Sequence, residues 1–96
     1  MAESTYFYIT RVELHGANEA QYEVLHRAMT NLGFTRKVTH DGNTLQLPSA
    51  EYAIRSAKDI NQIRDQAVAA AITTRLKFWV IVSGASRFAQ HGLPLA

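Results

Sequence analysis

The sequence predicts an α+β domain in which one four-stranded antiparallel sheet carries two helices on a single face. Three observations predict it. Apolar, β-branched and aromatic runs over Tyr6–Leu14 and residues 76–82 bracket the unit. Two stretches with helical spacing lie between them. An Asp41-Gly42-Asn43 turn joins two strand-like segments in the middle. Within 96 residues the order is strand, helix, strand, strand, helix, strand, which is the split βαβ arrangement of ferredoxin-like domains. The expected strand order is 4-1-3-2, with residues 1–84 as the domain and residues 85–96 as a C-terminal tail.

Each element follows from its own pattern. Side chains alternate along a strand, so Tyr6, Tyr8, Thr10, Val12 and Leu14 share the face expected to meet the helices. Phe7, Ile9, Arg11 and Glu13 share the other. Asn18 followed by Gln21 has capping-box spacing. Tyr22, Leu25, Met29 and Leu32 then form one apolar stripe, and Gly33 stops the helix. Residues 34–40 read as the second strand. The third spans residues 44–55 with a break expected at Pro48, which has no N–H for a ladder. Tyr52 and Ile54 fit its core side, and Glu51, Ala53 and Arg55 its open side. Ser56 and Asp59 suggest the cap of the second helix, whose stripe is Ile60, Ile63, Ala67 and Ala70, widened by Val68 and Ile72. In the last strand Leu76, Phe78, Val80 and Val82 point inward, while Lys77, Trp79, Ile81 and Ser83 point outward.

Composition narrows the chemistry. The chain has no cysteine, which removes disulfides, zinc–thiolate sites and thiol nucleophiles. Its start is short, polar and unlike a signal peptide, and no apolar run approaches the ~20 residues of a membrane span. A cytoplasmic protein without membrane contact is therefore expected. The formal charge of +2 is uneven. From Arg75 onward there is no acid, which is compatible with nucleic-acid contact as well as with an ordinary mixed surface.

Two zones are expected on the open face. Phe7, Ile9, Trp79 and Ile81 make an apolar patch large enough to call for a cover. The candidate covers, in order of preference, are a second copy of the chain, the chain's own tail through Phe88, Leu93 and Leu95, and single-stranded RNA. Arg11, Glu13, Lys37, Glu51 and Arg55 make an ionic zone. Cross-strand pairing is the plain reading of that zone; a phosphate site with a proton-moving carboxylate is the functional one. His15 and His40 stand at element ends, where active-site groups tend to be placed. No metal-ligand spacing, catalytic-triad order or phosphate-loop glycine pattern is present. No metal or small-molecule cofactor is expected.

Several short stretches together point to a family. They are Val12-Glu13-Leu14-His15, Tyr22 with Leu25-His26 and Ala28-Met29, Gly33-Phe34, and Leu47-Pro48-Ser49-Ala50-Glu51-Tyr52. In combination and spacing they resemble the GhoS family of small bacterial proteins, over roughly residues 6–83. The resemblance implies a ferredoxin-like fold similar to the small nucleases of CRISPR adaptation. It also implies an antitoxin of type V toxin–antitoxin systems, acting as an endoribonuclease on the messenger of a membrane toxin. Glu13 takes the place near the end of the first strand where the CRISPR-related proteins usually carry aspartate.

With no carboxylate cluster in the sequence, metal-independent cleavage is the expected chemistry. Its candidates are Glu13 or His15 as base and His40 as acid, with Arg11, Arg36, Lys37 and Arg55 holding phosphate. The competing expectation is a non-catalytic homodimeric module that uses the Phe7, Ile9, Trp79, Ile81 patch.

Overall fold

The computed structural model describes residues 4–85 and 89–96. The elements are β1 (Tyr6–Leu14), α1 (Glu19–Asn31), β2 (Lys37–His40), β3 (Asn43–Gln46), β4 (Glu51–Ser56), α2 (Ile60–Ile72) and β5 (Phe78–Gly84). The expected single four-stranded sheet is instead two antiparallel sheets. One has the order β4-β1-β5, and the other is the β2-β3 hairpin. Among the described residues, Thr35, just before β2, ties the two together through paired bonds with Ala53 of 2.8 and 2.7 Å.

The break lies around Pro48, and the reason is local. Leu47 N–H donates to the Arg36 carbonyl at 2.7 Å, and the next residue has no N–H to continue the ladder. Glu51 N–H then bonds the Pro48 carbonyl at 2.9 Å, closing a turn before β4 starts. The segment expected as one third strand is thus divided into β3 and β4. The hairpin tip has Asp41 at φ 50° and Gly42 at φ 80°, the two left-handed residues of a type I′ turn.

The main core lies between the three-stranded sheet and the helices. Val12, Leu25, Met29, Ile63 and Ala67 are fully enclosed, with Tyr8, Leu14, Tyr52 and Ile54 beside them. The alternation read along β1 holds from Tyr8 onward. Tyr6, at the strand's start, is exposed. The helix stripes hold at their centres and fail at their ends. Ile60 and Ile72, the first and last residues of α2, face water along with Leu32 just beyond α1. Both helices carry complete capping boxes, Asn18 with Gln21 and Asp59 with Gln62. Each satisfies orphan N–H groups of the first turn.

A second, smaller core sits on the opposite side of the sheet. Val38, Leu45 and Leu47 of the hairpin region bury Ala53, and Phe7, Ile9 and Leu93 pack against them. The tail completes this layer. Gln46 N–H donates to the Pro94 carbonyl at 2.9 Å and Ala96 N–H to the Thr44 carbonyl at 3.0 Å, so the last residues run along β3. Leu93 is half-buried there, Leu95 is exposed, and Phe88 lies outside the described residues.

Thr10, on the core face of β1, is polar. It is completely enclosed, and its Oγ1 has no hydrogen-bond partner among the described residues. A buried hydroxyl without a partner costs about 1–3 kcal/mol. Thr10→Val keeps the β-branched shape and removes the orphan. It is expected to raise stability by about 1 kcal/mol, read as a higher denaturant midpoint at an unchanged slope.

Candidate functional site

The bare part of the open face is built by two neighbouring strands. β1 and β5 pair so that Glu13 stands beside Trp79 and Arg11 beside Ile81. All four side chains lie on the face away from the helices, as the alternation requires. Trp79 is 67% and Ile81 64% exposed, far more than large apolar side chains usually leave in water. His15 follows at the end of β1, tied down by its N–H to the Lys77 carbonyl at 2.9 Å. Its ring meets Trp79 edge-on, with centroids 4.5 Å apart and planes at 84°, a favoured aromatic geometry.

Arg11 and Glu13 form an ion pair of 3.1 Å along the same strand face. Their side chains are 53% and 41% exposed, so the pair adds little stability and each group stays available. A carboxylate, an imidazole, a guanidinium and an indole therefore share one short stretch of sheet. The carboxylate and imidazole can exchange protons, the guanidinium can hold an anion, and the indole offers a flat apolar face.

The other expected site residues lie elsewhere. Phe7 and Ile9 belong to the second core and are half-buried under the hairpin and tail, so the expected four-residue apolar patch is split. Arg55 sits over the Phe7 ring at 5.5 Å and helps line a cavity of about 380 Å³ with Tyr6, Tyr8 and Gly84. Lys37 is exposed at the start of β2. His40 closes β2 at the hairpin tip, with Nε2 3.4 Å from the Asp41 carboxylate. Among the described residues no group of three His, Asp or Glu side chains comes together as a metal site, and no helix is long and apolar enough to cross a membrane.

Arg36 goes to the helix side, where sequence reasoning assigned nothing. Its charge acts on a pair formed by His26 of α1 and Tyr52 of β4, whose Nδ1 and hydroxyl are hydrogen-bonded. Burial, then Arg36, holds His26 below its ordinary value, and Glu23 opposes them. Burial pushes the Tyr52 hydroxyl well up, with Arg36 opposing and Tyr22 and Glu23 adding. The imidazole is neutral and the phenol protonated, and His26 Nδ1 accepts from the Tyr52 hydroxyl when the ring carries its proton on Nε2. The pair thereby satisfies a hydroxyl on a residue that is only 1% exposed. In the sequence, His26 follows the core residue Leu25 directly and sits one turn from both Tyr22 and Met29. That position placed it at the edge of the stripe but could not name its partner, 26 residues away.

A second cleft, of about 290 Å³, separates the sheet from the tail. Ile9, Leu47 and Glu51 line one side, with Gln90, His91 and Leu93 on the other. Glu51 is the β4 partner of Arg11, so this cleft opens beside the exposed stretch of β1.

Comparison with protein-family models, with curated proteins and with solved structures finds no match for this chain. The GhoS resemblance therefore rests on the short stretches that carry it.

The His26–Tyr52 pair has a pH consequence. A histidine held below its free value binds fewer protons folded than unfolded between those two values. Stability is thus complete above about pH 6.5 and falls as pH drops through that point toward the folded value. His26→Gln keeps an acceptor for Tyr52 but cannot titrate. Its loss of stability from pH 7.5 to pH 5 is expected to be smaller than that of the parent. Equal losses in urea titrations at the two pH values would refute this.

Proposed function

We propose that the domain binds single-stranded RNA on the bare stretch of its sheet and cleaves it, as the GhoS-like antitoxin endoribonucleases it resembles do. One observation carries the reading: an exposed Trp79, braced by His15, lies beside the Arg11–Glu13 pair. Nucleotide bases stack on aromatic faces, while cations track the backbone phosphates. Lys77 adds charge at the same end, and the acid-free stretch from Arg75 onward favours a polyanion. The ferredoxin-like reading of the fold draws support from the β4-β1-β5 order and from Thr35, which lies beside β4 where a fourth strand would run.

In the proposed reaction Glu13 or His15 takes the proton of a ribose 2′-hydroxyl. The resulting oxygen attacks the adjacent phosphorus, and the 5′-oxygen leaves with a proton from an acid. The products are a 2′,3′-cyclic phosphate and a free 5′-hydroxyl. Arg11 neutralises the extra charge on the phosphorane. His40 is the sequence candidate for the acid, with Lys37 and Arg55 as outlying phosphate contacts. Arg36, committed to the helix side, is assigned no role in this step.

A second reading is self-association. Ile81, apolar and exposed next to Trp79, favours a protein partner more than a nucleic acid. In that reading the domain is a homodimeric binding module.

Trp79 is the chain's single tryptophan, so its fluorescence reports the site directly. Titration with a labelled single-stranded RNA of mixed sequence is expected to quench it, with affinity falling steeply as salt rises. Trp79→Ala is expected to weaken binding by roughly 1–3 kcal/mol. Cleavage, followed with and without chelator, is expected to leave cyclic phosphate ends and to be lost in Glu13→Gln or His15→Ala. Absence of both quenching and gel retardation at low salt would reject the RNA reading. Binding without cleavage in the parent protein would reject its enzymatic part.

A further inference from the structure

We propose that two copies of this chain join through the free edge of β5, in an antiparallel pairing whose two-fold axis passes at Ile81. This rests on the self-association reading and moves the contact from the sheet's face to its edge.

β5 is an outer strand, with β1 on one side only. The direction of its backbone groups follows from the bonds that flank it. His15 N–H donates to the Lys77 carbonyl, and Ala85 N–H to the Phe7 carbonyl. Groups alternate along an antiparallel strand, so the odd-numbered residues of β5 bond to β1. The N–H and C=O groups of Phe78, Val80, Val82 and Gly84 therefore point away from the sheet. Among the described residues none of these outward groups has a backbone partner.

Protected edges usually carry a charge, a proline or a bulge. β5 reads Phe-Trp-Val-Ile-Val-Ser-Gly and holds neither a charge nor a proline. It pairs without interruption over its whole length with β1. Such an edge is a template for another strand.

The sequence of the edge also selects its partner. With the axis at Ile81, each residue meets the one that mirrors it, so Val80 faces Val82 of the second copy. Phe78, the larger helix-side residue, faces Gly84. Trp79, the larger open-side residue, faces Ser83. The two aromatic side chains each meet a small residue, and Ile81 meets its own copy at a close, non-hydrogen-bonded position. The four outward residues of each copy exchange about eight backbone bonds, within the range of an ordinary protein interface. The paired sheets form one continuous six-stranded layer, and both Trp79 side chains stay on the same face.

The absence of native cysteine makes the register directly testable. Ile81→Cys places two thiols across the axis, at a spacing that suits a disulfide. Under mild oxidation it is expected to crosslink rapidly. Trp79→Cys and Ser83→Cys are each expected to stay uncrosslinked alone and to crosslink when mixed. Sedimentation of the parent at tens of micromolar is expected to show a dimer. Ile81→Lys sets like charges opposite each other and is expected to raise the dissociation constant at least about tenfold. Val82→Pro removes an outward N–H, which an edge strand tolerates, and trims a side chain at the margin of the main core; a folded monomer is the expected result.

A parent that stays monomeric would overturn both the edge pairing and the self-association reading. A dimer that survives folded Val82→Pro, or that fails to crosslink through the mixed Trp79→Cys and Ser83→Cys proteins, would overturn the edge alone and leave a face contact.

Discussion

The alternation along β1 is the constraint on which the rest of the molecule depends. β1 is the middle strand, bonded to β4 on one side and β5 on the other. Tyr8, Thr10, Val12 and Leu14 all enter the core under the helices. Phe7, Ile9, Arg11 and Glu13 are left for the other face. A slip of one residue would exchange the two sets. Exposing Tyr8, Val12 and Leu14 would cost roughly 1.5–3 kcal/mol for each side chain. That loss is comparable with the total stability of roughly 5–15 kcal/mol of a small domain. The register is therefore held by burial, and together with the β1–β5 pairing it brings Arg11, Glu13 and Trp79 out side by side.

The second face is shared between structure and surface. The hairpin and tail take the Phe7 and Ile9 end and use it to build a small core. The Trp79 and Ile81 end keeps its apolar groups in water. A domain that had only to cover its sheet would gain by enclosing both ends. The covered end shows that this chain has the means to do so, which makes the bare end the place to look for function.

Much of the fold was legible because its signals are local. Capping-box spacing marked both helix starts, Gly33 the first helix end, and Asp41-Gly42 the hairpin. Pro48 marked a break. What the break would do was not legible. The consequence depended on where Leu47 and Val38 found apolar partners, and those lie on β1, β4 and the tail. The same holds for the candidate site. Period-two alternation placed Arg11, Glu13, Trp79 and Ile81 on one face. It could not show that Phe7 and Ile9 would be withdrawn from that patch. Nor could it show that Arg36 would serve the His26–Tyr52 pair on the helix side.

The sequence by itself determined the elements, their order, and which side of each strand is apolar, because those properties depend on neighbours a few residues apart. Only the tertiary structure decided that the hairpin leaves the main sheet, that the tail runs along β3, and that no described residue pairs with the outer edge of β5. Those outcomes turn on which distant surfaces bury the most apolar area while leaving the fewest backbone groups unbonded, and that competition is settled only when the whole chain packs at once.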